Sequence, residues 1–131
     1  MFGKKKIFID KQFGNLEYYQ GYWSGCTVIG QFQECIVELA GDKNSPNPVS
    51  LEQGKKITTD INYFINSSVE FIQQKNINEF IEGNGDLVFG GFCTNETPGS
   101  FDIQFSLSNW EDASIVVHFE NNKPVEISQG D

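Results

Sequence analysis

His118 is the only histidine among 131 residues, and it is the first place to look for proton transfer. An imidazole changes charge near neutral pH, so a carboxylate beside it can make it a general base. Glu120 lies two residues away in an alternating stretch, and Asp102 comes within reach if the C-terminal strands pair. No nucleophile stands beside His118 in the chain. Ser106, Ser108 and Ser114 have no informative spacing, and no Gly-x-Ser-x-Gly elbow occurs. A surface histidine on a half-wet strand is the favoured reading, and no catalytic residue is assigned.

Other chemistries find less support. Cys26, Cys35 and Cys93 match no zinc spacing and form no Cys-x-x-Cys pair, although Cys26 and Cys35 could face each other across a hairpin. Free thiols of a reducing cytoplasm are expected. Asp86, Glu96, Asp102, Glu111 and Asp112 lack the regular oxygen-ligand intervals of a calcium loop. Gly83-Asn84-Gly85 and Gly90-Gly91 are not followed by the Lys-Ser/Thr of a phosphate cradle. No metal or cofactor is therefore expected. The one basic run, Lys4-Lys5-Lys6, is too small for a nucleic-acid surface.

Charge is the strongest lead. Eight lysines balance eight carboxylates in residues 1–78, whereas residues 79–131 hold ten carboxylates against Lys123 alone. The formal charge of −9 thus belongs to the C-terminal part. Such a surface repels nucleic acid and anionic lipid and attracts basic proteins. Asp102, Glu111, Asp112, His118 and Glu120, with Trp110 as an aromatic anchor, are the expected contact residues. Tyr18, Tyr19, Tyr22 and Trp23 form a second aromatic cluster, which strand alternation divides between two faces.

These side chains need a scaffold. The length and the 38% hydrophobic content suit one domain over residues 1–131 with one core. Ile7 and Ile9 alternate with Phe8 in a first strand, and Asp10 cuts the run short, so no secretory signal is expected. No run reaches the roughly 18–20 apolar residues that span a bilayer. Further strands are read at 16–23, with Gly21 as a bulge, at 26–29 and at 34–40. Leu51, Ile57, Ile61, Phe64, Ile65, Val69 and Ile72 have helical spacing, and Ser50 with Gln53 has the form of a capping box, predicting one helix over about 50–74. Ile77, Phe80 and Ile81 mark a short helical turn. Strands return at 87–93, 101–107, 114–120 and 124–128, with Asn121-Asn122 as a hairpin turn and Val125 and Ile127 facing inward. The expected fold is α+β: a mostly antiparallel sheet of about eight short strands covered by one main helix.

Phe13-Gly14-Asn15-Leu16, continuing to Tyr22-Trp23-Ser24-Gly25, resembles the Phe-Gly-x-Leu…Trp-x-Gly pattern of small bacterial domains found among immunity proteins of polymorphic and contact-dependent toxin systems. Trp110-Glu111-Asp112-Ala113 and Phe119-Glu120-Asn121 resemble the strand-and-turn endings of similar domains. The resemblance implies a cytoplasmic bacterial immunity protein, not an enzyme, that neutralises a cognate toxin domain by binding it. The charge adds that this partner is basic, a nuclease being one candidate, and the chain a monomer or weak dimer. Two alternatives stay open. One is a small-ligand-binding or enzymatic α+β domain with a Phe- and Tyr-lined pocket between helix and sheet. The other is a structural or assembly protein that self-associates through an edge strand.

Overall fold

A computed structural model describes residues 5–75 and 77–130. Eight strands form one sheet in sequential order: β1 (Ile7–Asp10), β2 (Gly14–Tyr19), β3 (Tyr22–Ile29), β4 (Phe32–Ala40), β5 (Leu87–Thr94), β6 (Phe101–Leu107), β7 (Trp110–Glu120) and β8 (Lys123–Gly130). Every neighbouring pair is antiparallel except β4 and β5, which run parallel. A parallel pair cannot be joined by a tight turn and needs a long crossover. Here the crossover carries α1 (Pro48–Thr59), α2 (Ile61–Gln74) and the single turn α3 (Asn78–Ile81). The α+β, mostly antiparallel architecture and the strand count agree with the sequence reading. Of the basic run, Lys4 lies outside the described residues, and Lys5 pairs with Glu17 at 3.8 Å.

The single helix expected over 50–74 is two helices divided at Asp60. The Thr58 and Thr59 hydroxyls donate back to the Gly54 and Lys55 carbonyls at 2.9 and 3.0 Å, an arrangement that bends helices. The capping box is also displaced. Asn47 caps α1, its side-chain oxygen accepting from the Val49 and Ser50 amides, with Pro48 filling the first turn. Ser50 and Gln53 are instead buried tertiary contacts. The Ala40 amide donates to the Ser50 hydroxyl at 2.8 Å, the Ser50 and Thr94 hydroxyls touch, and Thr94 donates to the Ser50 carbonyl at 2.9 Å. Since Thr94 spends its one proton on that carbonyl, Ser50 must be the donor between the two hydroxyls. The closed chain ties α1 to the ends of β4 and β5. Gln53 accepts from the Gly99 amide at 2.8 Å.

Strand boundaries move for local reasons. Gln20 (φ 47°) and Gly21 (φ 93°) both lie in the left-handed region, the signature of a two-residue hairpin turn, so Gly21 closes β2–β3 instead of bulging a strand. The expected break at Ser24-Gly25 is continuous strand. A Cβ on Gly25 would sit 2.8 Å from the Asn15 carbonyl, so the glycine serves close packing on β2. Asn121-Asn122 forms the expected turn. Val125 is the extra residue of a bulge in β8 and is exposed, whereas Ile127 packs on the core as expected.

All three helices lie against one side of the sheet. Ile57, Ile61, Phe64 and Ile72 join Trp23, Val37, Leu39, Phe92, Ile103, Ile115 and Val117 in one buried cluster. Phe64 meets Phe101 and Phe119 edge-on at 5.1 and 5.8 Å, and those two rings stack at 4.7 Å. Phe13, Leu16 and Trp23 of the immunity-like pattern are core residues, and the Trp23 indole donates to the Asp42 carbonyl at 2.8 Å. The pattern therefore marks packing positions. Ile7 and Ile9 do share a face, but it is the wet one; Phe8 turns inward to Trp23 at 6.1 Å.

Gly91 sits at the parallel seam opposite Ile36 with φ 147°. A Cβ there would overlap the Ile36 carbonyl, whereas one on Gly90 would meet only Gln104 O at 3.7 Å. Gly91→Ala is expected to lower stability by about 3 kcal/mol or more and Gly90→Ala by less than about 1 kcal/mol, read from urea unfolding midpoints.

Candidate functional site

The second face of the sheet carries no helix among the described residues, and its side chains follow from the strand registers. Glu17, Ser24, Glu38, Cys93, Asp102, His118 and Glu126 are successive Cα partners across β2 to β8. Cys26, Ile36, Gly91, Gln104, Val116 and Ser128 form the next row. Strands lie about 4.8 Å apart, so Glu38, Asp102 and Glu126 stand at intervals of roughly 10 Å along one line. The only lysine in β3 to β8 is Lys123, at the hairpin opposite Glu120. Large apolar groups frame the acids: Ile9 is 76% exposed, Tyr19 72% and Ile36 42%, with Tyr22 nearby.

At the centre of the acid row the geometry is tight. Asp102 Oδ1 lies 2.7 Å from His118 Nδ1, and His118 Nε2 lies 2.7 Å from Ser128 Oγ. With its proton on Nδ1, the imidazole donates to Asp102 and accepts from the serine hydroxyl. On the other side, Gln104 donates to Glu38 at 3.5 Å. The Tyr22 phenol and the Cys93 thiol influence each other's ionisation. Burial, then the charges of Glu38 and Asp102, push the Cys93 thiol up to about 12, so it is uncharged at neutral pH. Cys93 itself, then burial and the same two acids, push the Tyr22 phenol up.

The expected contact residues do not form one patch. Asp102 and His118 meet as anticipated. Glu111 and Asp112 sit at one end of β7 and Glu120 at the other, about 30 Å apart along an extended strand. Trp110 packs on Phe80 of α3 at 5.0 Å, so it closes the core at that end. Glu38 and Glu126, which complete the acid row, and Ser128 were not singled out from sequence. The aromatic cluster divides as alternation requires: Tyr18 and Trp23 pack together at 5.2 Å, and Tyr19 and Tyr22 are exposed. Cys26 and Cys35 point to opposite faces, exposed and buried respectively.

No group of three or more His, Cys, Asp or Glu side chains among the described residues is arranged to hold a metal ion. A hollow of about 430 Å³ lies beside α1, lined by Val49, Glu52, Gln53, Lys56 and Pro98. It is neither lined by Phe and Tyr nor adjacent to His118. No described helix is long and apolar enough to cross a membrane. Compared with known proteins, the chain matches no family, no curated protein and no solved structure.

The thiols give a direct check on this face. Native-state alkylation is expected to modify Cys26 first and to leave Cys35 and Cys93 largely intact, by peptide mass mapping. Cys93 ionises near 9.0 when unfolded and near 12 when folded. The unfolded chain therefore loses the proton first, and the thiol's contribution to stability is whole below pH 9 and disappears as pH rises toward 12. The difference in unfolding free energy between the natural chain and Cys93→Ala is expected to shrink over that window.

Proposed function

We propose that this chain is an immunity-type protein that binds and neutralises a basic toxin domain, and that the bare sheet face is its docking surface. One observation carries the reading: Glu38, Asp102 and Glu126 stand in line on a rigid, uncovered sheet, and Lys123 at one turn is the only lysine in the strands from β3 onward. A fixed array of like charge raises the rate of encounter with a cationic protein. Exposed Tyr19, Tyr22 and Ile36 supply apolar area that holds the complex once formed. The resemblance of residues 13–25 to immunity domains points the same way. Toxin binding in the cytoplasm of the toxin-producing cell completes the proposal, and a nuclease suits it best because its substrate groove must be cationic.

The reading differs from the sequence expectation in where contact occurs. Glu111 and Asp112 stand at the far end of β7 from Glu120, and Trp110 packs on Phe80, so contact is assigned to Glu38 and Glu126 instead.

The test uses a partner captured on the immobilised chain from the producing cell, then purified. Stopped-flow association is expected to slow with salt and to slow about tenfold in Glu38→Gln/Glu126→Gln, while Glu111→Gln/Asp112→Gln changes it less than twofold. A captured partner without a basic surface, or equal rates in both double variants, would refute the proposal.

A further inference from the structure

Asp102, His118 and Ser128 form a chain of two 2.7 Å contacts in the order carboxylate, imidazole, hydroxyl. Three strands are needed to build it: β6 supplies Asp102, β7 His118 and β8 Ser128. The arrangement is not forced by pairing alone. His118 stands opposite Glu126, and Ser128 opposite Val116, so the imidazole reaches diagonally past its direct neighbour to the serine. Asp102 fixes the tautomer that leaves Nε2 free to accept, which is the role of the carboxylate in a nucleophilic triad. The serine is exposed and the imidazole side chain is 31% exposed, so an external carbonyl carbon can approach Oγ.

The edge position supplies a further element. β8 ends the sheet, and successive residues of a strand turn their amides alternately toward and away from the neighbouring strand. One of the Ser128 and Gln129 amides therefore points outward without a ladder partner. Such a donor, on the nucleophile or the residue after it, is an unpaired N–H close in the chain to the attacking oxygen. Gly130 follows, and a Cβ on it would meet nothing within 4 Å, so the approach is open. Val116 lies directly across from Ser128 and offers apolar ground for a short acyl chain.

We infer that Ser128 is an activated nucleophile, and that this face hydrolyses small, unhindered carboxylic esters. Ser128 Oγ forms a bond to the acyl carbon as its proton passes to His118 Nε2. The ester C–O bond breaks, and the leaving alkoxide takes that proton. Water then repeats the sequence on the acyl-serine, releasing the acid and restoring the hydroxyl. No oxidant, reductant or metal enters the balance. The activity is independent of toxin binding: either can fail while the other stands.

A fluorophosphonate probe and p-nitrophenyl acetate test it on the full chain. The probe is expected to attach at Ser128, located by peptide mapping. His118→Gln is expected to slow labelling at least 100-fold and Asp102→Asn at least tenfold, with Ser114→Ala, a control serine on the same face, unchanged. In the natural chain the labelling rate should rise with pH through one ionisation, and that step should vanish in His118→Gln. Ester hydrolysis is expected to disappear in Ser128→Ala. Labelling elsewhere, labelling that ignores His118, or hydrolysis that survives Ser128→Ala but not His118→Gln would overturn the inference, the last because the imidazole itself would then be the nucleophile. Matching circular dichroism spectra and melting curves confirm that the variants are folded.

Discussion

The parallel seam between β4 and β5 is the constraint on which the rest of the molecule depends. Two antiparallel meanders can be written with short turns, but joining them side by side in parallel demands a crossover. The chain spends all its helices on that one crossing, and a single crossing can cover only one face. The seam closes because Gly91 has no side chain to hold it away from the Ile36 backbone. Ser50 and Thr94 then fasten the start of the crossover to the strands it leaves and rejoins. One face of the sheet is thereby dry and aromatic, and the other is left to water.

That division allows a concentration of charge without a penalty in folding. Two carboxylates roughly 10 Å apart in water repel by about 0.4 kcal/mol, small against the hydrophobic burial beneath them. The same charges in line act together on an approaching cation, because their fields add while their mutual repulsion stays weak. The thiol, phenol and amide beside the acids bring no positive charge to the row. Cys93 stays an uncharged thiol, Tyr22 an uncharged phenol, and Gln104 donates to Glu38. His118 is the one group in the row able to become positive, and Asp102 stands beside it.

Much of this was legible in the chain. Strict alternation at Phe101–Leu107 and Ile115–Phe119 identified both strands and their buried sides, and helical spacing identified the cover. The misreadings share a cause: short-range signals were outweighed by long-range contacts. Ser50 and Gln53 have the spacing of a cap but are drawn into the interior by Thr94 and Gly99. Asn47, three residues earlier, makes the cap instead. The acids were grouped by position along the chain, whereas the sheet groups them by register, uniting Glu38 with Asp102 and separating Glu111 from Glu120. Ser128 escaped notice because ten residues and a bulge at Val125 separate it from His118. Only the hairpin register brings them together.

The central claim is that the uncovered, acidic side of the sheet is the working surface. Carbodiimide footprinting of carboxyl groups, with and without the cationic partner, tests it most directly. The account predicts that Glu38 and Glu126 become at least several-fold less reactive in the complex, while Glu52 and Glu70 on the helices keep their free-state rates. Protection of the helical carboxylates, with Glu38 and Glu126 unchanged, would contradict it.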